Sequence, residues 1–394
     1  MRKIILFGAF VALSTSLFAQ IAERPAPKKP EFTVIKEIPI TSVKNQARSG
    51  TCWNYSTLSF FEAEILKKSG KTYDLCEMFV CNKNYMDRAI CKVRMHGDAQ
   101  FSQGGSAYDV LYVLKYYGIC PEEAMPLPGT LYGDTLNNFN EFFEVMEPYV
   151  DAVVKSKAKT IGTTWRNGLQ GILDAYLGKC PEEFTYEGKK YTPKTFAASL
   201  GLNWDDYVSI TSYTHHPFYE EFPVEVQDNW RQPGSWNLPI DEMARVIENA
   251  IMNGYTVAWG GDVSEAGFTR DGLAILVDME TKATSGSDQE RWVGRSEEAP
   301  AQKATAKELE VTQESRQLMF DEKSSTDDHG MHLYGIAKDQ NGVKYYLIKN
   351  SWGETGAYKG IWYMSENFLR AKTLNIVVHK NAVPRKTLHR IGVK

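Results

Sequence analysis

Apolar residues recur at helical spacing early in this chain and at strand spacing late, and that order constrains the fold more than any other feature. Over residues 52–68 the residues Trp53, Tyr55, Leu58, Phe61, Ile65 and Leu66 fall at helical intervals, with Thr51 or Ser49 able to supply an oxygen at the start and Gly70 able to end the helix. Further helices are expected at about 74–90 and at 107–117, the latter stopping at Gly118, with partly helical character over 157–177 and an amphipathic helix at 240–253 running into Gly254. Strands are expected at 255–260, 274–277, 332–337, 344–350 and 360–364, with Asn341-Gly342 as the turn between the third and fourth. Helices early and strands late give an α+β chain of two segregated lobes, one helical and one built on an antiparallel sheet.

At 394 residues the chain is long enough for a large core. Its hydrophobic content of 43% and charged content of 24% are ordinary for a globular protein. A formal net charge of −4 gives no general attraction to nucleic acid or to anionic membrane. Residues 1–19, MRKIILFGAFVALSTSLFA, read as a signal peptide: basic Arg2 and Lys3, an apolar run, and a small-residue exit at Ala19. The mature protein is therefore expected to be soluble and exported, periplasmic or secreted. Residues 20–35 read as an extended arm, and residues 280–310 as a polar surface excursion.

The chemistry gathers at three distant words. Cys52, in QARSGTCWNYS, opens the first expected helix, where unpaired N–H groups favour a thiolate. His329 lies in DDHGMHLYG and Asn350 in KNSWG. A thiol, an imidazole and an orienting amide suffice for acyl transfer through a covalent intermediate. Gln46, six residues before Cys52, has the reach to place its amide beside the Cys52 N–H as an oxyanion donor, and Trp352 could shield a His329–Asn350 bond from water. His332 is a rival imidazole. Asp327 and Asp328 could raise the basicity of His329, attract a substrate amine, or be solvated loop acids.

His215 and His216, in YTHHPF, suggest a metal, but adjacent histidines point apart on a strand and no spaced acid or cysteine completes a set. A loop or wall role is expected there, and no metal or organic cofactor is implied. Cys76, Cys81 and Cys91 are close enough in sequence for disulfides, with buried free thiols an equal alternative.

QARSGTCW, the GG of SQGG, and KNSWGETGAYKGIW resemble the corresponding words of the papain-like cysteine peptidases. The resemblance implies a two-lobe papain-like fold, a helical lobe (about 45–125) and an antiparallel β-barrel-like lobe (about 250–380), with large insertions at about 125–240 and 280–320 and a tail at 381–394. It makes Cys52 the nucleophile, His329 rather than His332 the base and acid, Asn350 the orienting residue and Gln46 the oxyanion donor. Trp53 and Trp352 become supporting residues, and Gly104 and Gly105 the place where substrate backbone lies.

Three features are similar to bleomycin hydrolase and the bacterial aminopeptidase C group: the SG-x-CW form with Ser49 in place of the family's cysteine, the lack of room for a pro-domain after Ala19, and the large middle insertions. In that group the C-terminal tail enters the cleft and its end carboxylate holds the substrate's free amine. That implies Lys394 as a substrate-binding residue, aminopeptidase action on small peptides, and a homo-oligomer, since many members form hexamers. An endopeptidase with an open cleft, and a papain-fold binding protein without catalysis, stay open as alternatives.

Overall fold

The computed structural model describes residues 30–127, 139–277 and 308–393. The expected signal peptide, Lys394 and most of the excursion at 280–310 lie outside them.

The first lobe holds α1 (Cys52–Ser69), α2 (Glu77–Arg94), α3 (Ala107–Tyr116), α4 (Phe139–Val154), α5 (Trp165–Leu177) and α6 (Pro193–Ser199). Helix α1 is buried continuously from Trp53 to Ile65, polar residues included, as a helix wedged between two layers must be. Its buried polar groups find partners. Glu62 accepts from Thr41 Oγ1 at 2.6 Å and from the Leu75 N–H at 2.9 Å, and Asn54 donates to the Glu77 carbonyl at 2.7 Å.

Gly70, at φ 71°, ends α1 as expected, with Lys67 and Lys68 placed favourably in the last turn. The start differs from expectation. Thr51 stands at the N-cap position but bonds Ser49 Oγ at 2.5 Å, so no side chain caps the turn that begins with Cys52.

Phe60, Phe61 and Phe79 pack with Phe142 of α4, Leu169 and Leu173 of α5 and Phe196 of α6. Truncating one such phenylalanine typically costs about 3–5 kcal/mol. Much of the expected insertion is thus core of this lobe.

The second lobe is an 11-stranded sheet. Its strands are β1 (Thr33–Glu37), β4 (Tyr207–Thr211), β5 (Glu221–Phe222), β6 (Ser235–Asn237), β7 (Val257–Gly261), β8 (Phe268–Thr269), β9 (Leu273–Ala274), β10 (His329–Lys338), β11 (Lys344–Lys349), β12 (Ile361–Ser365) and β13 (Thr373–His379). A separate hairpin joins β2 (Phe184–Tyr186) to β3 (Lys189–Tyr191). The order is β5-β6-β4-β13-β7-β10-β11-β12-β9-β8, with β1 also on β10. The end of the expected extended arm is thus part of the sheet, with Thr33 opposite Lys338 and Val34 opposite Ala337. The β10–β11 turn forms where Asn341-Gly342 predicts it, with Gly342 at φ 83° and Asp339 Oδ1 accepting the Asn341 and Val343 N–H groups at 2.9 and 2.8 Å.

Alternation assigns the two faces. Met331 and Leu333 of β10, Trp259 of β7 and Ile376 of β13 pack with α7 (Ile240–Met252), α9 (Glu366–Lys372) and α10 (Arg385–Ile391), while a further helix, α8 (Gln313–Asp321), precedes β10. Gly330 and His332 turn the other way, against α1.

The expected antiparallel barrel-like lobe is therefore corrected to an open, mixed sheet. The end strands β5 and β8 are two residues each and pair only with β6 and β9, and the β4–β6 and β9–β12 pairs are parallel. A closed barrel fills its interior with its own side chains, whereas here the apolar rows of α7 and α9 cover that face and hold it open.

The tail docks on this same face. Thr387 donates to Glu242 Oε1 of α7 at 2.6 Å, Ile391 is buried in the shared core, and Val393 packs against it. Among the described residues no helix is long and apolar enough to cross a membrane.

Candidate active site

One close approach sets where the lobes meet. A Cβ on Gly330 would stand 2.8 Å from Ser56 Oγ and 3.1 Å from the Trp53 Cα, so the first turn of α1 rests on β10 with no side chain between them. Cys52 precedes Trp53 and His329 precedes Gly330. The contact therefore brings thiol and imidazole to the wall of one cavity of about 270 Å³, which Gln46, Gly104 and Gly105 also line. Gly330 carries no motif signal, and its role was not anticipated from the sequence.

His329 is buried, and its Nε2 lies 2.9 Å from Asn350 Oδ1. The same Oδ1 accepts the Ser351 N–H at 2.7 Å. A backbone N–H bonds only to the amide oxygen, so the Asn350 amide is oriented and His329 Nε2 must be the donor. In the neutral imidazole Nδ1 then carries the lone pair. The Trp352 ring centroid lies 4.8 Å from the imidazole, and the indole is itself buried, which screens the bond from water.

Gln46 is buried between the lobes. Its Oε1 accepts from Ser351 Oγ at 2.6 Å and its Nε2 donates to the Ser49 carbonyl at 2.7 Å, using one of its two amide protons. His332, the rival imidazole, is fully buried with Nδ1 2.8 Å from Ser59 Oγ. Burial, then the charge of Lys349, hold it well below the ordinary histidine value, as suits a neutral packing residue.

The two glycines make room on opposite sides. A Cβ on Gly105 would meet the Trp53 indole at 2.8 Å, and one on Gly104 would fall 1.8 Å from Asp228 Oδ2. Asp228 was not anticipated, since PVEVQDNWR has neither periodicity nor a motif. Its Oδ1 accepts from Arg88 Nη2 at 3.0 Å and Ser102 Oγ at 3.1 Å, and the fully buried Arg88 also holds the Gly104 carbonyl at 2.5 Å.

Asp327 and Asp328 line the cavity too, the latter accepting the Val263 N–H at 2.9 Å. Among the described residues no lysine or arginine lines it. Cys76, Cys81, Cys91, Cys120 and Cys180 are free thiols, so the disulfide alternative is not taken. Burial pushes the thiols of Cys81 and Cys180 up to about 12, leaving both protonated near neutral pH.

Residues 9–290 and 302–393 match the family described as the Peptidase C1-like family. Aminopeptidase G of Lactobacillus delbrueckii subsp. lactis is 22% identical over 390 residues, spanning 87% of this chain and 82% of that protein. Aminopeptidase C of the same organism is 24% identical over 405 residues, spanning 90% and 82%. A crystal structure of PepW from Lactobacillus rhamnosis superposes with a TM-score of 0.65 at 19% identity, covering 91% of this chain and 84% of that one, and so shares the fold. The chain belongs to the Peptidase C1-like family, within the papain-like cysteine peptidases.

Proposed function

We propose that the protein hydrolyses peptide bonds through a Cys52 thiolate and acts as an aminopeptidase on small peptides. His329 Nδ1 takes the thiol proton, and the sulfur attacks the peptide carbonyl carbon. The π pair moves onto oxygen, where the Cys52 N–H and the second Gln46 amide proton receive it. Collapse expels the amine, which takes its proton from the imidazolium. Water, deprotonated by His329, then hydrolyses the thioester and restores the thiol. The His329–Asn350 bond at 2.9 Å supports this assignment, because it leaves the basic nitrogen for the thiol. Gly105 is given the substrate backbone, and Trp53 and Trp352 hold the walls.

The choice of the N-terminus rests on one observation: Asp228 Oδ2 stands over Gly104 in a cavity lined by acids and by no lysine or arginine among the described residues. A peptide lying along Gly105 meets that carboxylate as it reaches Gly104, where an ammonium group suits it and a continuing chain does not. The described tail residues, 385–393, pack on the sheet face turned away from α1, so this reading gives the amine to Asp228. The export signal expected at 1–19 would put the enzyme outside the cytoplasm.

The test compares an unblocked aminoacyl fluorogenic amide with its N-acetylated form, with Cys52→Ala as the blank. A charged hydrogen bond favours the unblocked form by about tenfold or more. Equal turnover of both would overturn the aminopeptidase reading in favour of an open-cleft endopeptidase. No turnover of either, with Cys52 unreactive to iodoacetamide, would overturn the peptidase reading itself.

A further inference from the structure

Apart from the cleft, one set of ligating side chains converges among the described residues: His215, His216 and Glu225, whose ligand atoms all lie within 4.8 Å of one another. Two sequence-based reasons argued against a metal there, and neither holds in the fold. The histidines sit in a turn rather than a strand, and Glu225, nine residues beyond His216, completes the set. His215 Nε2 lies 3.0 Å from Glu225 Oε2, and His216 Nε2 lies 2.8 Å from Glu225 Oε1.

The side chains are held in place. The His216 ring stacks on Phe222 with centroids 4.1 Å apart, and His215 lies nearly parallel to Phe320 with its Nδ1 3.3 Å from Gln317 Oε1, an acceptor for the Nδ1 proton of an imidazole that ligates through Nε2. Asn237 Nδ2 bonds the Tyr213 and His216 carbonyls at 2.7 and 2.9 Å, which pins the turn.

An ionised carboxylate only accepts, so two ring nitrogens aimed at it need a proton each or a shared cation. Zinc–nitrogen and zinc–oxygen bonds of about 2.0–2.2 Å put tetrahedral ligand atoms about 3.3–3.6 Å apart. The two imidazole–carboxylate distances fall just below that, and the set as a whole lies within 4.8 Å, so small side-chain adjustments would close it on an ion. Two imidazoles and one carboxylate suit zinc better than calcium or magnesium, which prefer oxygen.

We propose that His215, His216 and Glu225 bind a zinc-class divalent cation, with solvent at the fourth position and Gln317 orienting His215. The site would brace the cleft. Glu225 lies between Val224 and Val226, which line the cavity with Asp228, so the ion would tie that wall to the turn and, through Gln317, to α8. The proposal stands whether or not the substrate is bound by its amine.

The experiment titrates zinc sulfate into the full chain carrying Cys52→Ala, which removes the thiolate as a competing ligand, with calorimetric readout and circular dichroism as the fold check. One ion per chain is expected. Glu225→Gln and His216→Ala should each weaken binding at least tenfold, as should Gln317→Ala, in line with about 10–100-fold for outer-shell partners. In the same chain zinc should raise the Tm, and in Glu225→Gln it should not. Unchanged isotherms in folded variants, or no binding up to about 1 mM zinc, would overturn the site. The histidines would then share their carboxylate through protons alone.

Discussion

Asp228→Asn alters one atom and one charge in the cleft. Asparagine keeps Oδ1, which accepts from Arg88 and Ser102, and puts an NH2 where Oδ2 stands over Gly104. An ammonium that bonds the carboxylate there loses a charged hydrogen bond, worth about 1.5–3 kcal/mol. The Asp228 side chain is 21% exposed, so solvent screens part of the interaction, and a loss of about 1–2 kcal/mol is reasonable, about 5–30-fold in kcat/KM. The variant also leaves Arg88, which is fully buried, without its counter-charge, a change that can destabilise a fold by about 3–5 kcal/mol. The assay must separate the two effects. The ratio of kcat/KM for the unblocked and N-acetylated amides does so, because any loss of folded enzyme cancels. The expected result is a fall of about 5–30-fold in that ratio, carried by the unblocked substrate. A ratio equal to that of the parent, or an equal fall for both substrates, would refute the amine-binding argument and leave Asp228 as the partner of Arg88.

Asn350→Ala frees the imidazole to turn, and kcat should fall about 10–100-fold with KM nearly unchanged in steady-state assays. Gly330→Ala forces a Cβ to within 3.1 Å of the Trp53 backbone, and the resulting shift of α1 from β10 should lower kcat by up to about 100-fold while iodoacetamide still titrates Cys52. Removing residues 385–393 should lower stability by about 2–5 kcal/mol, from loss of the buried Ile391 and the Thr387–Glu242 bond, yet leave the ratio for unblocked and acetylated substrates unchanged. Burial raises the Glu64 carboxyl from 4.5 to about 7. The folded state thus holds that proton more tightly than the unfolded one, and the resulting stability, full below pH 4.5, is lost as pH rises through about 7. Glu64→Gln should flatten this decline in thermal melts across that window, a gain of up to about 3 kcal/mol on the alkaline side.

Elements with an unbroken period were legible. Helix α1 was expected over 52–68 and runs Cys52–Ser69. Strand β10 was expected from 332 but begins at His329, because His-Gly lacks the apolar alternation that marks a strand while still pairing, His329 opposite Gly261. Helix α2 was expected from 74 and begins at Glu77, since Leu75 is drawn into a bridge with Pro121 and the Cys76 N–H bonds the Cys120 carbonyl. The sheet's openness was not legible. It depends on what β5 and β8 pair with, and a two-residue strand has no period. Nor could periodicity say what covers an apolar face. Phe142, Leu169 and Leu173 lie in the expected insertion, yet they pack beside α1.

The same contrast divides the candidate site. Cys52, Gln46, His329 and Asn350 each sit in a recognisable word, and those words help build one another: Ser351 orients its neighbour Asn350, Ser49 holds Gln46 from within its own word, and Ser351 and Trp352 of the Asn350 word reach across to Gln46 and His329. Asp228 depends on no neighbour in its own segment for its charge partner. Arg88 comes from α2 and Ser102 from the loop before α3, more than a hundred residues away, and neither points back to VQDNW in the sequence. The GG word was read as space for a substrate backbone. In the fold, Gly105 makes room for the Trp53 ring, while the space beside Gly104 is already filled by a carboxylate from the other end of the chain's middle segment. In the proposed reading the pair thus does two different things, Gly105 extending the cleft and Gly104 admitting the group that ends it. Substrate length would then be set by a residue from the insertion, and reaction chemistry by the words at 46–53, 329 and 350.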